Sequence, residues 1–273
     1  MRTSRALLLF RDRRVTFERV KELLIRGLNY LGWDAYQLRS SRIVPAGSDQ
    51  RSVGRMDLLL EDLKARGLTC RAVLDVGANR TLWSRTAIRC FPEAKFYLVE
   101  PQQELEAGLQ NFCRRHKNAS YFLTGVGAKK ENQIITIWDD LAGSSFMPEV
   151  EDALVQQGKQ RSVPVTTIDT LIQEENMKIP DLIKMDIQGY ELEALRGANL
   201  TFGKTEVYIL EVALYKFMEG MPVFDEIIGF MRDRGYVVYD FGGFLRRPSD
   251  GALSQCDICF AKEQGLLRKS NQW

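Results

Sequence analysis

The chain has 273 residues, 45% of them apolar and 27% charged, with a formal net charge of +2. That length suits one large α/β domain plus an extension, and the composition is that of an ordinary soluble globular protein. The balanced charge leaves no electrostatic footprint for nucleic acid. The five cysteines are odd in number and scattered, so they imply no disulfide framework, and no apolar run approaches the ~20 residues of a membrane span.

Near the N-terminus, Ala6-Leu7-Leu8-Leu9-Phe10 follows two arginines. It is shorter than the ~7–15 apolar residues of a signal h-region, which points to the cytoplasm. Phe17, Val20, Leu24, Leu28 and Leu31 then recur at spacings of three and four, the stripe of an amphipathic helix. Residues 2–26 hold eight Arg/Lys against three Asp/Glu, a basic face that is either solvated or a contact for an acidic surface. A second helix is predicted around 56–66, with Gly67 as its stop signal. Residues 1–68 are read as an N-terminal helical extension, whose helices could pair two copies into a homodimer, and 69–273 as the α/β domain.

From Arg71 the pattern alternates strand and helix, the signature of a parallel sheet. Ala72-Val73-Leu74-Asp75-Val76-Gly77-Ala78-Asn79 reads as a buried strand running into a glycine turn, with a helix over 82–90. Lys95-Phe96-Tyr97-Leu98-Val99-Glu100-Pro101 is a strand ending on an acid and stopped by proline. A helix over 103–115 and a strand over 119–123 follow, and then the rhythm breaks. Strands are predicted at 134–138 and 163–168. The segment from Gly143 to Arg161 between them is loop or short helix, an insertion able to cover the ligand edge of the sheet.

Next come Asp181-Leu182-Ile183 and Lys184-Met185-Asp186-Ile187-Gln188-Gly189-Tyr190-Glu191-Leu192-Glu193, a strand ending on an aspartate, a tight glycine turn and a helix. Val207-Tyr208-Ile209-Leu210-Glu211 is another strand closing on an acid. A helix is predicted over 223–234, strands over 236–239 and 257–261, and turns at Gly242-Gly243 and at Arg246-Arg247-Pro248-Ser249-Asp250-Gly251. With no crossover helix between them, these closing strands should pair antiparallel. Cys256 and Cys259 form a CxxC, but three residues apart on a strand they face opposite sides, which makes them packing residues.

Asp75, Glu100, Asp186 and Glu211 thus all stand at or near the carboxyl ends of strands, where open α/β sheets bind ligands. Acids and glycine turns in one crevice suit ribose hydroxyls, a cationic centre or a metal. Asp75, Gly77 and Asn79, with Glu100 about two dozen residues on, fit either a nicotinamide cofactor or S-adenosylmethionine. Gly77-Ala78-Asn79-Arg80-Thr81-Leu82 has one glycine where a dinucleotide signature has three, which disfavours a nicotinamide oxidoreductase.

Taken together, Asp75-Val76-Gly77-Ala78-Asn79, Val99-Glu100-Pro101, Thr167-Ile168-Asp169-Thr170-Leu171 and Lys184-Met185-Asp186-Ile187-Gln188-Gly189-Tyr190-Glu191 resemble the FkbM-type methyltransferase family, over roughly residues 70–262. The resemblance implies a class I Rossmann-like methyltransferase fold, a mostly parallel doubly wound sheet with an antiparallel closing strand. It implies S-adenosyl-L-methionine as donor and O-methylation of a hydroxyl on a small metabolite, sugar or natural product. Asp75, Gly77, Ala78, Asn79, Thr81, Ser84, Glu100, Pro101, Asp186 and Gln188 would then form the cofactor site. Thr81 stands where the family usually has glycine. As a favourable N-cap residue it should preserve the helix start, yet a non-catalytic homologue that kept the fold is the alternative it raises.

Removal of the acceptor proton needs a base. His116, the one histidine, falls at the far end of the helix after Glu100, on the wrong edge of the sheet. Asp186 is the first choice, and Glu211 or Tyr215 the second. Glu191 and Glu193, two apart, cannot share a helix face. A divalent ion bridging Asp186 and Glu211 would suit hard oxygen ligands, but no third ligand is identifiable, so no metal is assigned. Trp83, Trp138, Tyr190 and Tyr215 could line the acceptor pocket or be core.

Overall fold

A computed structural model describes residues 50–270 and 272. The amphipathic helix expected over 17–31, and the homodimer surface assigned to the N-terminal helices, lie outside the described residues. What is described belongs to the unit that begins at Ala46.

Helix α1 (Met56–Ala65) ends at Arg66 and the left-handed Gly67, close to the predicted stop. The sheet begins with β1 (Ala72–Val76), followed by α2 (Leu82–Cys90), β2 (Lys95–Val99), a 3₁₀ turn at Gln103–Leu105, α3 (Glu106–Arg115) and β3 (Ala119–Phe122). After the short strands β4 (Gly125–Val126) and β5 (Glu131–Thr136) come α4 (Asp152–Gln156), β6 (Gln160–Thr166) and α5 (Ile168–Glu174). The chain continues through β7 (Leu182–Met185), α6 (Glu191–Arg196), β8 (Val207–Ala213), α7 (Phe224–Arg232), β9 (Tyr236–Arg246) and β10 (Leu253–Lys262).

Seven strands form the main sheet in the order β3-β2-β1-β7-β8-β10-β9. The first five are parallel, and β10 runs antiparallel to both β8 and β9. β1 and β7 are buried throughout, as parallel strands covered on both faces must be. Side chains alternate between two cores. Leu74, Val76, Ile183, Met185 and Leu210 meet α5, α6 and α7 on one face, while Val73, Phe96, Leu98, Leu182 and Ile209 meet α1, α2 and α3 on the other. Each fully buried aliphatic side chain there stabilises the fold by about 1.5–3 kcal/mol. Leu59, Leu60 and Leu63 are among them, so α1, read as the tail of the N-terminal extension, packs into the α/β core. Cys256 and Cys259 fall in opposite cores as free, buried thiols.

Three local expectations are corrected. The strands predicted at 134–138 and 163–168 start earlier, as β5 and β6, and belong with β4 to a separate three-stranded sheet. Ile168 opens a helix instead of ending a strand, because Thr167 caps α5 by accepting the Thr170 amide at 2.9 Å. Gly242 and Gly243 are not a turn but lie inside β9, where a side chain would strike Met56 or the Asp257 carboxylate. Glycine inside a strand marks such a close approach. The reversal comes at 247–252, closed by Arg247 on Asp250 at 2.6 and 2.7 Å.

Register sets the geometry of the ligand edge. Val99, Val76, Met185 and Leu210 align across β2, β1, β7 and β8, so their successors Glu100, Gly77, Asp186 and Glu211 form the next row. Asp257 pairs with Glu211 from antiparallel β10 and extends that row. Asp75 and Lys184, also paired in register, lie two residues deeper. Among the described residues, no helix is long and apolar enough to cross a membrane.

Candidate active site

On the β1–β2 side the glycine turn is locked. Gly77 has φ +78°, and a Cβ there would collide with the Asp186 carbonyl, so the two loops touch backbone to backbone. The Gly77 and Ala78 amides both donate to the Val99 carbonyl, at 2.9 and 3.1 Å. Beneath the turn, Asp75 is fully buried. Ser84 Oγ donates to its Oδ2 at 2.5 Å, and Lys184 Nζ lies 3.6 Å from its Oδ1. Burial pushes the Asp75 carboxyl up, opposed by Lys184 and Ser84. Ser84 and Asp75 therefore support the turn from below, and Asp75 Oδ1 is buried with Lys184 as its neighbour but no hydrogen-bond donor.

Glu100 is 2% exposed. Its Oε2 accepts the Asn79 amide at 2.9 Å, and its Oε1 accepts both the Gln102 amide and Nε2, each at 3.0 Å. Burial raises its carboxyl, while those donors act the other way. Pro101, half-buried, ends the strand beside it.

Thr81 departs from its expected role. It occupies the N-cap position of α2 but in the left-handed region, φ +62°, with no side-chain cap bond. Its hydroxyl instead accepts Arg85 Nε at 3.0 Å, and the residue is fully buried. A β-branched residue at positive φ is a genuine backbone outlier, so threonine here strains the turn that glycine would relax.

On the β7–β8–β10 side the groups are charged. Lys184 Nζ sits 3.3 Å from Asp186 Oδ2 as well as 3.6 Å from Asp75. Burial disfavours the ammonium, but Asp186 and Asp75 outweigh it and hold it above the ordinary lysine range. Burial likewise opposes ionisation of Asp186, and Lys184 and Gln188 overcome it, keeping this carboxyl below its usual value. Gln188, at φ +54°, bridges the two acids once considered for a metal. Its Nε2 donates to Asp186 Oδ1 at 2.9 Å and to Glu211 Oε2 at 2.7 Å. Gln255 Nε2 adds a bond to the same Glu211 oxygen at 3.0 Å. Burial and the Asp186 charge push Glu211 up to about 10, so it is protonated at neutral pH.

Asp257 was missed by sequence reasoning. It lies against Gly243, and burial and the charge of Asp186 raise it to about 6. The signal was available: in an antiparallel closing strand, an acid near the beginning occupies the ligand edge just as an acid at the end of a parallel strand does. Lys184 was passed over as an ordinary strand residue, although a lysine in a run this buried requires partners.

The other candidates separate. Glu191 is buried, raised to about 7 by desolvation, and accepts the Ile187 amide at 3.0 Å, so it holds the turn. Glu193 pairs with Arg196. Trp83 packs into the second core, and Tyr190 packs against Phe146 with ring centroids 5.1 Å apart and the rings tilted by 50°. Tyr215 is 38% exposed, with the Arg247 guanidinium 4.1 Å above its ring. His116 lies just past α3, its ring against Phe112, at the opposite edge of the sheet.

The segment after β5 crosses the crevice. The Leu141 carbonyl accepts Asn79 Nδ2 at 2.9 Å and Gln102 Nε2 at 3.0 Å, and Ser144 Oγ donates to Gln102 Oε1 at 2.9 Å. Ser145 Oγ reaches the Gln188 carbonyl at 2.8 Å on the other side. Trp138 is 38% exposed at the base of this loop. Among the described residues, no three His, Cys, Asp or Glu side chains converge to hold a metal ion.

A profile described as Methyltransferase FkbM domain matches residues 75–238, more than half of the chain. No curated protein matches in sequence. Similar solved structures include a precorrin-6y C5,15-methyltransferase from Geobacter metallireducens GS-15, with TM-score 0.42 and 13% identity over 75% of this chain and 85% of that one. Aeropyrum pernix fibrillarin in complex with S-adenosyl-L-methionine has TM-score 0.41 and 12% identity over 78% and 70%. Burkholderia thailandensis 1,6-didemethyltoxoflavin-N1-methyltransferase, with bound S-adenosylhomocysteine, has TM-score 0.39 and 11% identity over 76% of each chain.

Proposed function

The chain belongs to the FkbM methyltransferase family and has a class I Rossmann-like fold, and on that premise we propose that it is an S-adenosylmethionine-dependent O-methyltransferase. The acceptor is a hydroxyl of a small metabolite, sugar or natural product. The observation that carries the reading is the single row of Glu100, Gly77, Asp186 and Glu211 along the carboxyl edge of the sheet.

The donor set at the end of β2 fits a ribose. A carboxylate in this position accepts the hydroxyls of an adenosine ribose, and the Asn79 and Gln102 amides beside it offer donors and acceptors for the same ligand. A pyrophosphate fits poorly, because the Gly77 and Ala78 amides that would cradle it already donate to Val99. That argues against a nicotinamide cofactor.

S-adenosylmethionine supplies a methyl group already activated on a sulfonium, so the chain's work is in-line positioning and management of one proton. Asp186, held ionised by Lys184, would accept the proton of the acceptor hydroxyl. Glu211 is protonated at neutral pH and therefore serves as a hydrogen-bond donor; it is a poor base in that state. Tyr215 and Trp138, both partly exposed, are the aromatic surfaces of the acceptor side.

Calorimetry tests the donor half of the reading. S-adenosylhomocysteine should bind and NAD should not, and Glu100→Ala should weaken the binding by roughly 1.5–3 kcal/mol, the range of a charged hydrogen bond. Unchanged affinity in a folded Glu100→Ala protein would remove Glu100 from the site. For the acceptor, metabolites of the producing cell should be compared with and without the protein, looking for products heavier by one methylene unit.

A further inference from the structure

We propose that residues 138–144 form a strap latched over the donor site, and that the strap must swing away before the donor can enter. The inference rests on the S-adenosylmethionine reading above.

The strap is a preformed element. Its two ends are joined by the Thr136–Ser145 bridge, with paired backbone bonds of 2.9 and 3.1 Å. Its tip is tightened by Leu141 N on the Trp138 carbonyl at 2.9 Å. Asp140 Oδ1 accepts the Ala142 and Gly143 amides at 3.0 and 3.2 Å. Leu141 is held at φ +62°, a left-handed conformation that costs a non-glycine residue energy and recurs at ligand clamps and switches. In that conformation its carbonyl accepts from Asn79 Nδ2 and Gln102 Nε2, the amides flanking Glu100. Arg80 Nη2 holds the Asp140 carbonyl at 3.1 Å, and Ser144 Oγ occupies Gln102 Oε1.

These contacts close the site. Glu100 is 2% exposed and Gln102 4%, and the strap holds the side-chain amides of Asn79 and Gln102, the two residues whose donors occupy both Glu100 oxygens. A donor and the strap cannot both use the Asn79 and Gln102 amides as they stand. At the base of the strap, Ser145 is anchored to the opposite bank through the Gln188 carbonyl. Opening exchanges a few hydrogen bonds, one of them from the Arg80 guanidinium, for those of the ligand, and the apparent affinity for the donor is scaled down according to how small the open fraction is.

The test is stopped-flow binding of S-adenosylhomocysteine to the full chain, followed by tryptophan fluorescence, since Trp138 lies in the strap. In the wild type the observed rate should level off with ligand concentration at the opening rate. Ser144→Ala, which removes the bond to Gln102, should raise that plateau and tighten the dissociation constant by roughly two- to tenfold, the worth of one neutral hydrogen bond. Ser144→Ala/Ser145→Ala should go further and increase hydrogen exchange in 137–145. Binding by the variants but not by the wild type would support the strap in its strongest form. A rate that stays linear in ligand and identical in all three proteins would overturn the strap while leaving the donor reading intact. Three folded proteins that all fail to bind S-adenosylhomocysteine would overturn the donor reading, and the strap with it.

Discussion

The two banks of the crevice are built on opposite electrostatic plans. On the β1–β2 bank, Glu100 is surrounded by neutral amides from Asn79 and Gln102 that satisfy both of its oxygens. On the β7–β8–β10 bank, Asp186, Glu211 and Asp257 stand side by side around one ammonium, Lys184, which pairs with Asp186 and Asp75 but leaves the others to hold or release protons. The first bank is a set of neutral donors around one buried carboxyl. The second is a coupled set of acids in which moving one charge shifts its neighbours.

The largest expected effect lies in the second bank. Asp186→Asn should lower turnover on the acceptor by about 10²–10⁴-fold, the usual weight of a general base, with little change in donor affinity. His116→Ala, at the other edge of the sheet, should keep nearly full turnover. Normal turnover by Asp186→Asn would end its assignment as base and shift attention to Asp257.

Lys184→Met asks whether charge holds that bank together. It strips the Lys184 ammonium from the buried Asp75, and breaking a buried pair in this way typically costs about 3–5 kcal/mol. Denaturant unfolding at neutral pH should show the loss, with partial recovery in acid, where protonation removes the stranded charge. A variant as stable as the wild type would mean that the acids on this bank are accommodated by solvent and hydrogen bonds alone.

The pH dependence follows from the raised carboxyls. Glu211 at about 10, Glu191 at about 7 and Asp257 at about 6 all titrate above their free values. A group with a raised folded pKa contributes stability fully below its unfolded value and loses that contribution as pH climbs through the folded one. Stability should therefore fall as pH rises from about 5 toward 10, by about 1.4 kcal/mol per pH unit for each proton retained only by the folded state. Glu211→Gln should flatten the upper part of this slope and raise Tm at pH 9. An unchanged profile would show that Glu211 is already ionised.

Thr81→Gly is the smallest test and concerns the first bank. Relief of left-handed strain at a β-branched residue, of order 1–3 kcal/mol, is offset by about 0.5–1 kcal/mol of glycine entropy. A net gain of about 1 kcal/mol is expected, with donor binding preserved. A loss of stability would mean that the Thr81–Arg85 hydrogen bond outweighs the strain.

Much of this was legible in the chain. Buried strands of parallel type, acids at their ends, the glycine turn at Gly77 and the helix over 82–90 are local patterns, because strand burial and helix periodicity are written in consecutive residues. Glu100, Asp186 and Glu211 could therefore be placed on one edge without coordinates, whereas Asp75, expected beside them, lies two residues deeper. What escaped depends on neighbours far along the chain. Asp257 joins the row only because β10 inserts antiparallel beside β8. Gly242 and Gly243 look like a turn until Met56 and Asp257 are seen against them. Thr81 reads as an N-cap because propensity says nothing of the left-handed backbone imposed on it by the turn.

The sequence by itself determined the sheet, the family and the residues available for chemistry, since each is carried by short-range pattern. Only the tertiary structure decided their states. It set the direction in which each carboxyl is pushed, because ionisation depends on burial and on the placement of Lys184. It also ties a loop with no motif of its own to the turns after β1 and β2, because hydrogen bonds between Leu141, Asn79 and Gln102 join residues up to 62 positions apart, a separation at which no local pattern can be read.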